Sequence, residues 1–250
     1  MDLELTDRIA IVTGAARGLG AAIAQRLCLE GAKVAVVDRD ATGAEACARQ
    51  LTERGLQAFA HGVDVAEEAS VRQMVDAVAE RWGTVHVLVN NAGFTRDMRI
   101  TKMGVDDWDA VVDVILKGAF LCTRAVLPFM TREEQRWGRI VNISSRAHLG
   151  NPGQANYSAA KAGLIGFTRA MSLENGRFGV TVNAVAPGII DTQAVRDLPH
   201  YQKVRENAEK NTPVPRIGQP EDVADVVAFL ASARASYVSG DVLHVSGGRY

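Results

Sequence analysis

The sequence predicts an α/β fold, a doubly wound parallel sheet with helices on both faces, in a single domain covering residues 1–250. Three observations predict it. Short β-branched runs alternate with longer amphipathic ones at the spacing of βαβ units. The short runs, such as KVAVVD at Lys33–Asp38 and VHVLVN at Val85–Asn90, are almost continuously apolar, as strands covered on both faces must be. Three glycines, Gly14, Gly18 and Gly20, follow the first run directly and open the first helix. A chain of 250 residues, 47% hydrophobic, can bury one full core, and no shift in composition divides it.

Taken in order, RIAIVT (Arg8–Thr13) is the first strand, and Ala21–Glu30 is a helix with Ile23, Leu27 and Cys28 at helical spacing, stopped by Gly31. Lys33–Asp38 is the second strand, and Thr42–Arg54 a helix closed by Gly55. Ala58–Val63 is the third strand. Glu67–Arg81 is a helix whose acidic start suits the positive end of its dipole. Val85–Asn90 is the fourth strand. Val105–Pro128 reads as helix in two pieces, with a break near Lys117-Gly118. Strands at Arg139–Ile143, Thr181–Ala186 and Val242–Val245 and helices at Asn156–Asn175 and Glu221–Ser232 complete the alternation. The long stretch Ile189–Gln219 contains Pro199, Pro213 and Pro215 and a polar helical piece at Tyr201–Lys210. It is expected to be a substrate lid within the domain.

Bulk properties exclude several classes. A net charge of -1 and a pI near 6.5 argue against a nucleic-acid or acidic-membrane partner. No apolar run reaches membrane-spanning length, and the start Met1-Asp2-Leu3-Glu4 lacks the basic segment of a signal peptide, so a cytoplasmic protein is expected. Cys28, Cys47 and Cys122 are far apart and fit no metal spacing, so no metal site is expected. Two of them sit in apolar helical runs, where a thiol acts as a small hydrophobe.

The segment Gly14–Gly20, with Arg17 and Leu19 between its glycines, has the strand–turn–helix context of a phosphate cradle. Asp38 ends the second strand. A carboxylate there can accept both hydroxyls of an adenosine ribose and would repel a 2′-phosphate, which favours NAD; the adjacent Arg39 keeps NADP open. Asp64-Val65 and Asn90-Asn91-Ala92-Gly93 lie at carboxyl ends of strands, the edge where open α/β sheets bind ligands; Asp64 can equally cap the following helix.

The chemistry is expected in SSRAHLGNPGQANYSAAK, Ser144–Lys161. Tyr157 and Lys161, four apart on a helix, share a face, and two serines wait at a strand end. A phenol with a pKa of ~10 is a poor base until a neighbouring cation favours its anion. Lys161 is placed to supply that charge. His148, near the same loop, is read as structural or solvated rather than catalytic.

Together these motifs resemble the short-chain dehydrogenase/reductase family, from about Leu5 to Gly248: Thr13-Gly14 with Gly18 and Gly20, Asp64, NNAG at Asn90–Gly93, a serine before Tyr157-x-x-x-Lys161, and Pro187-Gly188 with Thr192. The resemblance implies a Rossmann-type sheet of about seven strands, a nicotinamide cofactor and interconversion of an alcohol and a carbonyl, in a homotetramer. Tyr157 would be the general acid/base, and Lys161 would also bind the nicotinamide ribose. Pro187, Gly188, the backbone at Ile189, and Thr192 would hold the carboxamide. Strand continuity matches the catalytic serine to Ser145, whereas the family's spacing back from the tyrosine lands on Ser144; strand geometry favours Ser145.

Within the family the chain is most similar to 3-oxoacyl-(acyl carrier protein) reductases, through NNAGFTRD, NPGQANYSAAKAGLIGFTRA and RIGQPEDVADVVAFLAS. Of the two basic positions such reductases use toward an acidic carrier, Arg136 matches one and Phe178, beside Arg177, occupies the other. Ile115 stands where the family has an asparagine that holds a relay water for the lysine, and an isoleucine side chain has no hydrogen-bonding atom. Three readings follow. They are a 3-oxoacyl thioester reductase, an NAD-dependent dehydrogenase of small or cyclic secondary alcohols, and a cofactor-binding subunit with little catalysis, as Ile115 suggests.

Overall fold

The structure is a computed structural model that describes residues 2–249; Met1 and Tyr250, the two ends of the expected domain, lie outside the described residues. Seven strands form the sheet: β1 (Ile9–Thr13), β2 (Lys33–Asp38), β3 (Ala58–Gly62), β4 (Val87–Asn90), β5 (Gly138–Ile143), β6 (Val180–Pro187) and β7 (Val242–Val245). The helices are α1 (Gly18–Leu29), α2 (Ala41–Thr52), α3 (Glu68–Trp82), α4 (Val105–Val112), α5 (Gly118–Met130), α6 (Ala155–Asn175), α7 (Gln193–Arg196), α8 (Tyr201–Asn211) and α9 (Pro220–Ala231).

All strand pairs are parallel, in the order β3-β2-β1-β4-β5-β6-β7. This is the expected doubly wound sheet. The order reverses between β1 and β4, so the crevice beyond their carboxyl ends has no crossover helix above it. Helices α1, α2 and α9 cover one face through Ile23, Leu27, Leu51 and Val227. Helices α3 and α5 cover the other through Met74, Val78, Leu121 and Val126. Continuous burial of β5 and β6 explains why their sequences show no polar alternation.

Three expectations need correction. The helix over residues 105–130 has no break at Lys117-Gly118. Instead α4 passes into α5 through one wide, π-helical turn at Asp113–Lys117, and Gly118 is itself helical. Glycine is required there by packing, because a Cβ at 118 would lie 2.9 Å from Val65 Cγ2. Asp64 does not cap α3, which starts at Glu68. Its Oδ1 accepts the Ala66 N–H at 3.0 Å and so turns the chain after β3. The stretch 189–219 is less irregular than its prolines suggest, since it also holds the short α7.

At the amino-terminal edge of the sheet, the Arg8 and Arg139 guanidiniums lie 4.0 and 4.3 Å from the Trp137 ring. His86 packs edge-on to the same ring, and its Nδ1 accepts the Ile9 N–H at 3.0 Å. That bond requires an unprotonated Nδ1. Burial, with Arg8 adding to it, pushes His86 from 6.5 down to about 4. Its folded pKa is below the unfolded one, so its contribution is whole above about 6.5 and is lost as pH falls toward about 4. Urea denaturation across that window is expected to show a shallower acid loss of stability for His86→Gln than for the wild type.

Candidate active site

A cleft of about 680 Å³ lies over the carboxyl ends of β1, β4, β5 and β6. Gly14 and Gly18 take left-handed backbone conformations (φ 63° and 58°) and turn the chain from β1 into α1. A Cβ at Gly14 would come 2.8 Å from Ala92 Cα, and one at Gly20 would come 2.6 Å from Asn91 Nδ2. The glycines therefore let the turn lie directly on the loop after β4. No side chain caps α1, so its first N–H groups, with Arg17 and Leu19, face the cleft. This cradle fits a dinucleotide pyrophosphate.

Asp38 is fixed beside it. Its Oδ2 accepts the Ala16 N–H and its Oδ1 the Asp40 N–H, both at 3.0 Å. Arg39 is largely exposed and leans toward Asp64, 3.7 Å away. Asn91 ties the next wall down, because its Nδ2 donates to the carbonyls of Thr13 at 2.8 Å and Gly14 at 2.9 Å. Thr13 Oγ1 accepts the N–H groups of Asn91 and Ala92 in return. Asp64, Val65 and Gly93 line the same half.

The two serines after β5 point opposite ways, as successive residues of an extended chain do. Ser144 is buried and donates to the Lys161 carbonyl at 2.9 Å. Ser145 Oγ accepts the Ala147 N–H at 3.1 Å and lies against the Tyr157 phenol. Lys161 is 3% exposed; its Nζ donates to the Ile143 carbonyl at 2.5 Å and lies 5.5 Å from the Tyr157 ring centre. Ile115, in the wide turn, closes the other side. A Cβ at Gly93 would sit 3.1 Å from Ile115 Cγ1 and 3.5 Å from Lys161 Nζ.

The expected electrostatics need revision here. Burial is the largest influence on both groups: it pushes the phenol of Tyr157 up and the amine of Lys161 down to about 7. The Ser145 hydroxyl draws the phenol back down, and Asp97 pushes it further up.

Pro187, Gly188 and Thr192 line the cleft, and Thr192 covers Gly18 at 3.8 Å from where its Cβ would be. Ile189, expected to contribute its backbone, lines a separate cavity of about 430 Å³ behind the loop, and its carbonyl accepts the Gly218 N–H. Ile190 lines both that cavity and the cleft. The wall also includes residues not assigned from the sequence, among them Phe94, Asp97, Gln154, Val195 and Leu198. Their one legible signal was position just beyond a strand's carboxyl end or inside the long loop. Among the described residues no group of three His, Cys, Asp or Glu is placed to hold a metal ion.

Comparison with known proteins accords with this geometry. The family profile described as Enoyl-(Acyl carrier protein) reductase matches residues 14–249. The chain belongs to the short-chain dehydrogenase/reductase family. This short-chain dehydrogenase/reductase is 45% identical over 249 residues to the 3-oxoacyl-[acyl-carrier-protein] reductase FabG of Pseudomonas aeruginosa, covering 99% of each chain. It is 42% identical over 247 residues to the (2S)-[(R)-hydroxy(phenyl)methyl]succinyl-CoA dehydrogenase subunit BbsD of Thauera aromatica, covering 99% of this chain and 98% of the other. The crystal structure of levodione reductase superposes with a TM-score of 0.91 at 37% identity, covering 97% of both chains. As a family member the protein is an NAD(P)-dependent oxidoreductase acting on alcohol and carbonyl groups.

The opposite orientations of the serines predict different phenotypes. Ser145→Ala is expected to lower kcat about 100-fold, as loss of one donor to a developing oxyanion does. Ser144→Ala is expected to cost about 1 kcal/mol of stability and to leave kcat within about threefold. Steady-state kinetics and urea denaturation of the two variants separate these outcomes.

Proposed function

We propose that the protein reduces the ketone of a 3-oxoacyl thioester to a secondary alcohol, with Tyr157 as general acid. The observation that carries this is the Ser145–Tyr157 pair over the buried Lys161, at the inner end of a cleft that runs back to the glycine cradle. Thioesters in the names of the relatives above support the substrate class. Dehydrogenation of small cyclic alcohols and a non-catalytic binding role are not favoured.

Gly14–Gly20 and Thr192 would hold a nicotinamide dinucleotide, which when bound would supply hydride. The protein's own groups handle the proton. Ser145 Oγ–H donates to the carbonyl oxygen and holds it against the phenol, and the Tyr157 proton moves to that oxygen as charge develops there. Lys161, anchored on Ile143, provides a cation beside the phenolate left behind and a ribose-binding ammonium. In the reverse direction Tyr157 accepts the alcohol proton. Residues 189–219 act as the lid, with Val195 and Leu198 on its cleft side and Asp191 pinned by Arg196 and Tyr201.

NAD is the preferred cofactor in this reading. Asp38 is held rigid by two backbone amides where ribose hydroxyls would lie, and Arg39 turns to Asp64. Exposed Trp108 and Phe120 along α4 and α5 support assembly through those helices as a homotetramer. The three unpaired cysteines support a reducing, cytoplasmic setting.

An absorbance assay with a 3-oxobutanoyl thioester and a simple cyclic ketone, each with NADH and NADPH, tests this. Faster turnover of the thioester, with NADH preferred about tenfold or more, is expected. The wild type and Ile115→Asn are both expected to turn over. Absence of hydride transfer in both, with dinucleotide bound, would show that the chain is not a reductase of this kind.

A further inference from the structure

Beyond the reacting groups, the end of the cleft away from the glycine cradle includes Phe94, Val195, Leu198, the amide of Gln154 and an ionised side chain, Asp97. The Asp97 carboxylate is not a loose surface group. Both its oxygens accept from Gln154 Nε2, at 3.0 and 2.9 Å, and Gln154 Oε1 is held in turn by Asn151 Nδ2 at 2.8 Å. The backbone repeats the tie, with Met98 N–H donating to the Gly153 carbonyl at 2.7 Å. Asp97 is thus fastened to the residues that open α6, the helix that carries Tyr157.

Among the described residues no cation forms an ion pair with it. The neighbouring Arg96 is spent on Asp107 at 2.9 Å, and Lys161 is buried at the floor and held by Ile143. The charge is felt at the reaction centre, since Asp97 is one of the groups that push the Tyr157 phenol up.

The geometry points to Asp97 as a specificity-determining residue, a fixed negative charge that admits uncharged 3-oxoacyl esters and thioesters and turns away the free 3-oxo acids. This rests on the carbonyl-reductase reading above and sharpens its substrate class. A ketone at Tyr157 and Ser145 brings the acyl carbon two bonds away into the Asp97 half of the cleft. A thioester is neutral there, whereas the free acid places a second carboxylate near the first. Like charges a few ångströms apart at a partly wet site repel enough to lower binding roughly fivefold to tenfold. Because Asp97 is solvent-accessible, the effect is expected to weaken with salt.

The test compares kcat/KM for ethyl 3-oxobutanoate, its N-acetylcysteamine thioester and the free 3-oxobutanoate anion, in the wild type and in Asp97→Asn. The ratio of free acid to ester within each enzyme cancels any change in Tyr157. That ratio is expected to rise fivefold to tenfold in Asp97→Asn, and to rise with added salt in the wild type but not in the variant. An unchanged ratio, or one that responds equally to salt in both enzymes, overturns the charge filter. Asp97→Glu, which keeps the charge, is expected to keep the wild-type ratio, and a rise there equal to that of Asp97→Asn overturns it as well. Failure of the wild type to reduce either neutral substrate instead overturns the reductase reading itself.

Discussion

The site depends on the burial of one amine. Lys161 is nearly inaccessible, and its ammonium donates to the carbonyl of Ile143 at the end of β5. Burying an ammonium is costly unless it is held by well-placed acceptors, so this contact fixes where α6 meets the sheet. The tie is doubled in the opposite sense, since Ser144 at the same strand end donates to the Lys161 carbonyl. Two bonds between consecutive residues of the strand end and one residue of the helix leave α6 little freedom to rotate. Tyr157, one turn earlier, is aimed at Ser145 as a consequence.

The same economy operates across the sheet. Parallel strands end together at one edge, and their last carbonyls and N–H groups need partners once the ladder stops. Side chains supply them. Asn91 satisfies two carbonyls of the β1 turn, and Thr13 satisfies two N–H groups after β4. Asn90 reaches Asn142 at 2.8 Å, which reaches Thr168 on α6 at 2.9 Å. This chain of amides links the nucleotide cradle to the helix of the acid/base pair through buried polar groups that are paired to one another. The asparagines of the NNAG stretch thus support the cradle and the catalytic helix from beneath.

The sheet was legible because its strands are buried on both faces and carry the pattern in the residues themselves, as in KVAVVD. The opposed serines were legible for a similar local reason: alternation along an extended chain is a backbone property, and it singled out Ser145 against the residue count. The wide turn at Asp113–Lys117 was not legible. Gly118 looks like a breaker, yet its lack of a side chain serves a contact with Val65, about fifty residues earlier in the chain. Asp97 was missed because its role depends on which way a loop side chain turns. That is decided by a contact distant in sequence, with Gln154.

Ile115 shows how such a distant contact tunes the chemistry. The resemblance leads one to expect an asparagine here, a side chain able to solvate the lysine's charge. The isoleucine instead packs an apolar wall near Nζ and adds to the burial that brings Lys161 down to about 7. An amine of ordinary pKa stays charged throughout the working range, so its help to the phenolate is constant. An amine near 7 is charged below that pH and neutral above it, and its support for the phenolate fades as pH rises. Reduction consumes a proton at Tyr157 and is favoured when the phenol is protonated. Oxidation needs the phenolate, and it loses the cation in the very range where the phenol would begin to ionise. The isoleucine in place of asparagine thus bears on the pH range over which Lys161 can support the phenolate, in whichever direction the reaction runs.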